Sequence, residues 1–266
     1  MNRFSPRLVQ RIAQGERVVV LTGAGLSVES GIPTFRGAGG LWENEPVEAL
    51  ATPEGFGRDP RRVWRFYDER RRRAAACVPN AAHRALAEYG GRHPGLLIVT
   101  QNIDGLHQGA GSRDVVELHG SLWRDRCDDC GAKSAARAAA GAAGGPDGEA
   151  TARAAEGPPR CGCGGLLRPD IVWFGEPLPE EAMARASEAA RRALLFLVIG
   201  TSAVVYPAAR LPAVASAAGA WVVEINPQPT PLSGQVDEVI RGTAGSVLPP
   251  LLGAEGDDAG GGSGAR

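Results

Sequence analysis

The chain has 266 residues, 43% of them hydrophobic, enough for a substantial core in one domain or two. Lys plus Arg total 29 against 30 Asp plus Glu, a net charge of −1, which gives no support to nucleic-acid binding or a polybasic membrane anchor. The opening "MNRFSPRLVQRIAQGERVVVLTGAG" lacks a signal peptide's apolar stretch, and the longest apolar runs are strand-sized, so a soluble cytoplasmic protein is expected.

In chain order, "VVVLT" (18–22) is the first element, a continuous apolar run expected to be a strand buried on both faces. It turns through Gly23 and Gly25 into an expected helix. Bare amides at a helix N-terminus favour phosphate, and glycines let a pyrophosphate approach; a tight turn without a ligand is the other reading. Val28 stands where the dehydrogenase fingerprint has its third glycine, and no acidic residue closes a second strand about 20 residues on. A dinucleotide site of a different kind is implied.

From Asp59 to Ala76 the chain reads "DPRRVWRFYDERRRRAAA", with Pro60 suited to a first helical turn. At about 100° per residue, Val63, Phe66, Tyr67, Arg70 and Ala74 share one stripe, with Arg65, Asp68, Glu69 and Arg72 opposite. An arginine on the inward stripe needs an acceptor, so Arg70 calls for a carboxylate of the protein or of a substrate. The other arginines read as a solvated face.

The helix "NAAHRALAEYG" (80–90) leads to the strand "GLLIVT" (95–100), and "TQNIDGLHQGAG" places Gln101, Asn102 and Asp104 at that strand's carboxyl end. His119 follows in "VVELHGSLW"; a histidine's ordinary pKa of about 6.5 suits a general base, although a lone histidine is more often structural. His83, His93 and His107 keep that structural reading.

Cys127 and Cys130 in "CDDC", then Cys161 and Cys163 in "CGC", offer four thiolates for a tetrahedral structural zinc; a redox pair is the alternative. Between them, residues 133–159 are low-complexity and read as a flexible insertion. Cys77 reads as a buried hydrophobe.

The helix "PEEAMARASEAARRA" and the strand "LLFLVIG" (194–200) come next, then the helix "PAARLPAVASAAG", which Pro212 would kink or end. The strand "AWVVEI" (220–225) leads into "NPQPT", and residues 253–266 read as a disordered tail. Alternating strands and helices argue for a doubly wound α/β domain. Polar clusters close three of its strands; each could be a helix cap, but together with the glycine turn they read better as one cleft.

"GAGLSVESGIPTFRG", "TQNIDGLH", "ELHGSLW", the cysteine pairs, "GGLLRPDIVWFGE", "GTS" and "EINPQ" occur in the order found in sirtuins, and residues 5 to 251 resemble that family of NAD-dependent protein lysine deacylases. The resemblance implies a catalytic domain over residues 1–252. A large Rossmann-like part would carry a small zinc-binding module at about 120–170, with NAD and acyl-lysine meeting between them.

It further implies that Gly23, Ala24, Gly25, Ser27 and Glu29 wrap the NAD phosphates and that Thr34, Phe35, Arg36 and Trp42 cover its ribose side. Gln101, Asn102, Ile103 and Asp104 would line the ribose and nicotinamide pocket, with His119 the catalytic base and Asn102 and Asp104 in the catalytic set. Gly200, Thr201, Ser202, Asn226, Pro227, Gln228 and Ala244 would face adenosine. Val172, Trp173 and Phe174 would pair with the substrate backbone.

Tyr67 and Arg70 form the Tyr-x-x-Arg mark of class III sirtuins, implying succinyl- or malonyl-lysine as substrate, with acetyl-lysine weaker. NAD would be a consumed co-substrate and zinc structural, with 2′-O-acyl-ADP-ribose and nicotinamide as products. Acylated lysines of proteins would be the partners of a monomer that binds neither nucleic acid nor membrane. A deacetylase or mono-ADP-ribosyltransferase of the same fold is the alternative; a hydride-transferring dehydrogenase is disfavoured by Val28, and an inert NAD-sensing module by His119.

Overall fold

The computed structural model describes residues 4–34, 47–136 and 157–254. Helix α1 (Pro6–Gln14) starts where the Ser5 hydroxyl accepts from Leu8 N and ends at Gly15, whose φ of 63° is left-handed. After β1 (Val18–Thr22) come α2 (Val47–Leu50), α3 (Pro53–Arg58), α4 (Pro60–Ala75), α5 (Ala81–Arg92), β2 (Leu96–Thr100), α6 (Leu106–Gly109) and β3 (Val115–Glu117). A small sheet follows, of β4 (Gly120–Cys127), β5 (Lys133–Ala135) and β6 (Leu167–Ile171). The chain then returns through α7 (Glu180–Arg192), β7 (Leu195–Ile199), α8 (Leu211–Ala217), β8 (Trp221–Ile225), β9 (Glu238–Ile240) and α9 (Ala244–Leu252).

The large sheet has the order β3-β2-β1-β7-β8-β9, and every pairing in it is parallel. Its strands read as unbroken apolar runs because both faces are covered. Val18, Val20, Leu195 and Leu197 point into one core with residues of α1, α5 and α9, while Val19, Leu21, Phe196 and Val198 point into the other with residues of α7 and α8. Each fully buried Leu or Val contributes about 1.5–3 kcal/mol of transfer free energy. From β1 the strand order runs one way to β2 and β3 and the other way to β7, β8 and β9, a reversal that opens a crevice at the strands' carboxyl ends.

The small sheet is antiparallel with β4 central. A third apolar cluster packs Leu50, Phe56, Val63 and Tyr67 of α2–α4 against Leu122, Ile171 and Trp173. The doubly wound sheet and its smaller companion are as expected from the sequence.

Several expectations need correction. Residues 24–30 form two short 3₁₀ turns, not a helix, ended by left-handed Gly31 (φ 90°). Pro212 neither kinks nor ends a helix: it lies in the first turn of α8, where its missing N–H costs nothing. The expected insertion begins as strand β5, paired with β4; its residues 137–156 lie outside the described residues, as do residues 255–266 of the expected tail. Among the described residues no helix is long and apolar enough to cross a membrane.

Candidate active site

The turn after β1 and the loop after β7 meet at the strand reversal. Gly25 N donates to Gly200 O at 2.8 Å, and Gly23 N to Ile199 O at 3.0 Å. A Cβ on Gly23 would lie 2.7 Å from Thr201 Cβ, and one on Gly25 2.8 Å from Gly200 O, so any side chain would push the two loops apart. The glycines therefore serve the close packing of the two loops, with their own amides spent on Ile199 O and Gly200 O.

Thr201 ties three strand ends together. Its hydroxyl accepts from Gln101 Nε2 at 3.0 Å, and its carbonyl accepts from Asn226 Nδ2 at 3.0 Å. Asn102 Nδ2 donates to Gly23 O and to Ser27 Oγ, each at 3.1 Å, and Ser27 Oγ donates to Asp104 Oδ2 at 2.8 Å. The other Asp104 oxygen caps α6 by accepting from Leu106 N at 2.9 Å. Burial raises the Asp104 carboxyl above its usual range, against the lowering effect of the hydrogen bonds from Leu106 and Ser27.

His119 stands between the two sheets. Leu118 N donates to Thr100 O of β2 at 2.9 Å, and His119 O accepts from Val172 N at 3.0 Å. Gly120 follows with φ 78°, where a Cβ would meet Asp170 O at 2.0 Å, so only glycine allows the bend into β4. His119 Nδ1 lies 3.0 Å from Gln101 O. A carbonyl can only accept, so Nδ1 carries the proton and Nε2 keeps its lone pair. Burial lowers the His119 pKa, with the Gln101 carbonyl opposing, so the ring is a neutral base at neutral pH.

The expected site residues are placed unevenly. Gly23, Ala24, Gly25, Ser27, Gln101 to Asp104, His119, Gly200 to Ser202 and Asn226 to Gln228 all sit at the carboxyl ends of the large sheet's strands or in the turns that follow. Thr34 is half-buried beyond the second 3₁₀ turn; Phe35, Arg36 and Trp42 lie outside the described residues. The Glu29 carboxylate is engaged by the protein, accepting from Thr243 Oγ1 at 3.0 Å and Gly245 N at 2.8 Å. It thereby caps α9 and ties the first turn to Ala244.

In the segment after β6, Val172 N, Trp173 N and Phe174 N donate to His119 O, Glu176 Oε2 and Ala51 O respectively. Its carbonyls at 172 and 174, not its amides, are thus what an incoming strand could use. Phe174 is exposed and Trp173 buried.

The helical phase of α4 differs from expectation. Its buried residues are Val63, Trp64, Tyr67, Arg71 and Ala74, so the fully buried arginine is Arg71 and not Arg70. Arg71 Nη2 meets Asp125 Oδ1 at 2.5 Å, and its Nε donates to Leu122 O at 2.6 Å. The carboxylate sought inside the protein is therefore Asp125, and it answers Arg71. Arg70 is half-buried, with its guanidinium 4.1 Å from the Phe66 ring centre. Burial pulls its pKa down to about 10, which leaves it charged at neutral pH, and pushes the Tyr67 phenol up to about 12, which keeps it protonated.

The four cysteine sulfurs lie within 4.8 Å of one another, with Cys127 Sγ 3.5 Å from Cys163 Sγ and Cys130 Sγ 3.8 Å from Cys161 Sγ. These separations exceed the ~2.05 Å of a disulfide and suit a tetrahedron with zinc–sulfur bonds of about 2.3 Å. Four closely grouped cysteine sulfurs are a ligand set that a structural zinc takes, so the residues fit that ion. His119 precedes β4 and Cys127 ends it, so this site lies at the far end of that strand from the crevice.

Sequence reasoning missed Asp125 and also Trp123, whose Nε1 donates to Asp104 O at 2.6 Å. It also missed Glu224, buried on β8, which accepts from Ser233 Oγ at 2.5 Å and from Arg241 Nη1 at 3.4 Å. Arg241 in turn donates to Asn226 O at 3.3 Å and Gln228 O at 2.9 Å. A charged residue inside the apolar run "AWVVEI" was the available signal.

Comparison with known proteins bears on this geometry. The profile of the Sir2 family matches residues 23–207. The chain is 50% identical over 242 residues to an NAD-dependent protein deacylase 2 of Pyrobaculum aerophilum, covering 91% of this chain and 92% of that one. It superposes on the crystal structure of a Sir2 homolog–NAD complex with a TM-score of 0.82 at 42% identity, covering 94% and 93% of the two chains. A Sir2 enzyme bound to a myristoylated histone peptide matches with a TM-score of 0.70 at 37% identity, covering 93% and 94%.

Proposed function

This chain belongs to the Sir2 family, and we propose that, as an NAD-dependent protein deacylase, it acts preferentially on lysines carrying succinyl or malonyl groups. NAD brings an electrophilic ribose carbon and accepts the acyl group, leaving as nicotinamide and 2′-O-acyl-ADP-ribose. The chain's own contribution is to bind, orient and move a proton. Gly23 to Gly25 and Gly200 to Ser202, whose small residues and tied loops admit a close approach, would border the phosphates and adenosine, and Asn226 to Gln228 the adenosine's far side. Asn102 and Asp104, locked together through Ser27, would fix the nicotinamide end. His119 Nε2 would take the proton of a ribose hydroxyl, with Gln101 O holding the imidazolium that forms. Zinc on Cys127, Cys130, Cys161 and Cys163 would brace the small sheet and take no part in the chemistry.

The acyl preference rests on one observation: Tyr67 and Arg70, one turn apart on α4, carry a phenol that stays protonated and a guanidinium that stays charged. Both are donors, and neither has a use for a neutral acetyl methyl. A charge-assisted contact is worth about 1.5–3 kcal/mol, roughly 10- to 150-fold in rate. The test is paired turnover of succinyl- and acetyl-peptides with wild type and Arg70→Met. Succinyl turnover should fall by at least about tenfold, with acetyl turnover retained. An equal loss on both substrates overturns the acidic-acyl reading.

A further inference from the structure

Trp173 has its backbone next to the peptide-pairing carbonyls and its side chain turned inward, 2% exposed. Trp173 Nε1 donates to Tyr67 Oη at 3.0 Å, and the two rings stack with centroids 6.2 Å apart at 29°. Other groups fix the indole. Phe56 packs against it at 5.4 Å between centroids, and the Arg168 guanidinium lies 3.7 Å from the ring centre. Arg168, itself 0% exposed, is anchored through Nη2 to both oxygens of Glu176 at 2.7 Å, and Glu176 Oε2 also accepts the Trp173 amide at 2.8 Å.

An indole nitrogen can only donate, whereas a phenol both donates and accepts. Because Trp173 donates, the Tyr67 oxygen is the acceptor in this bond. The phenol proton must then point elsewhere, and among the described residues no acceptor for it is found. We propose that Trp173 is a positioning residue for acyl selectivity: its indole N–H fixes Tyr67 as a hydrogen-bond donor toward the distal carboxylate of the acyl group. With phenylalanine at this position the Tyr67 hydroxyl would be free to rotate and would lose its ordered role. The indole also belongs to the segment that would pair with the peptide, so peptide seating and acyl reading share one residue. This inference rests on the acidic-acyl reading above.

Trp173→Phe tests it, since an aromatic ring is kept beside Phe56 and Arg168 while the N–H is deleted. Loss of one such hydrogen bond corresponds to a fall of about fivefold in kcat/KM on a succinyl-peptide, mainly through KM. Whatever the substitution does to peptide seating is common to both substrates, so the ratio of succinyl to acetyl kcat/KM should fall by about fivefold. In a Tyr67→Phe background the same substitution should have no further effect on succinyl turnover. Equal loss on both peptides, or a loss undiminished in the Tyr67→Phe background, would reduce Trp173 to packing and overturn the inference. Arg70→Met separates the two levels. If it is selective against succinyl-peptide while Trp173→Phe is not, this inference alone fails; if it is not selective, the acidic-acyl reading fails as well. Should Trp173→Phe not fold, Tyr67→Phe must shift one of the five indole N–H resonances of the chain, and an unchanged set overturns the inference.

Discussion

Mild acid should destabilise this protein through two buried histidines outside the proposed catalytic set. His83 and His107 are 0% and 1% exposed, with ring centroids 5.0 Å apart at 63°. His83 Nδ1 accepts from Asn80 N at 3.3 Å, which puts its proton on Nε2. His107 Nε2 lies 3.1 Å from Thr22 Oγ1, inside a chain that continues through Thr100 to the Asn102 amide. Among the described residues His83 Nε2 and His107 Nδ1 have no hydrogen-bond partner, so nothing described there is arranged to hold a second proton. Burial, with Arg84 close by, lowers His83 to about 4; burial, with His83 adjacent, lowers His107 to about 3.

In the unfolded chain both would titrate near 6.5. Between these values the unfolded state binds more protons, so stability is level above about pH 6.5 and falls as pH drops below it. At about 1.4 kcal/mol per pH unit and per histidine, the pair costs on the order of 4 kcal/mol between about pH 8 and about pH 5. That is a large share of an ordinary stability of about 5–15 kcal/mol. Urea denaturation across this range should show the midpoint falling with little change in slope. His107→Gln should remove about half of the fall. Acid release of zinc affects wild type and variant alike, so the difference between them isolates the histidine. A wild type whose stability is flat down to about pH 5, or a variant with an unaltered pH dependence, would refute the reasoning.

Arg71→Met should cost about 3–5 kcal/mol in chemical denaturation, because it takes the opposite charge away from the fully buried Asp125 carboxylate; Arg71→Met with Asp125→Leu should recover much of that loss. Arg241→Ala should raise KM for NAD by about three- to tenfold with kcat little changed, since it frees the carbonyls of Asn226 and Gln228 on the proposed adenosine loop. His119→Ala should lower kcat by about 10²- to 10⁴-fold while NAD binding, followed by calorimetry, persists. Metal analysis should find one zinc per chain, lost in Cys130→Ser together with the stability of the small sheet and not regained by adding NAD.

The large sheet was legible because burial on both faces leaves a plain mark: "VVVLT" and "LLFLVI" contain no polar alternation, and the structure feeds their odd and even residues into two separate cores. The polar strand ends were legible for a related reason. Asn102, Thr201 and Asn226 each follow directly on such a run and can reach only the crevice rim, and there they bond one another's loops. Less legible were features whose cause lies far away in the chain. Nothing near Glu29 announces that its carboxylate will cap a helix more than two hundred residues later, and nothing in "GAGLSVES" forbids the helix that Gly31 cuts short. Pro212 misled because a proline ends or begins a helix according to its phase, and only the 3₁₀ turn at Ala208–Arg210 sets that phase.

Helix α4 shows most clearly where periodicity runs out. Two stripes one residue apart were both available in "VWRFYDERRRRA": one through Phe66 and Arg70, the other through Trp64 and Arg71, with Val63, Tyr67 and Ala74 common to both. Hydrophobicity alone favours neither, since each exchanges one aromatic and one arginine. The choice is made by β4, whose bulge between Ser121 and Asp125 lets the Asp125 carboxylate and the Leu122 carbonyl face the helix. With Arg71 taken into that pair, Arg70 is rotated to the edge of the buried stripe, where it stacks on Phe66 and keeps its charge beside the Tyr67 phenol. The buried Arg71–Asp125 pair thus sets the rotation of α4, and with it the place of Arg70 at the edge of the buried stripe.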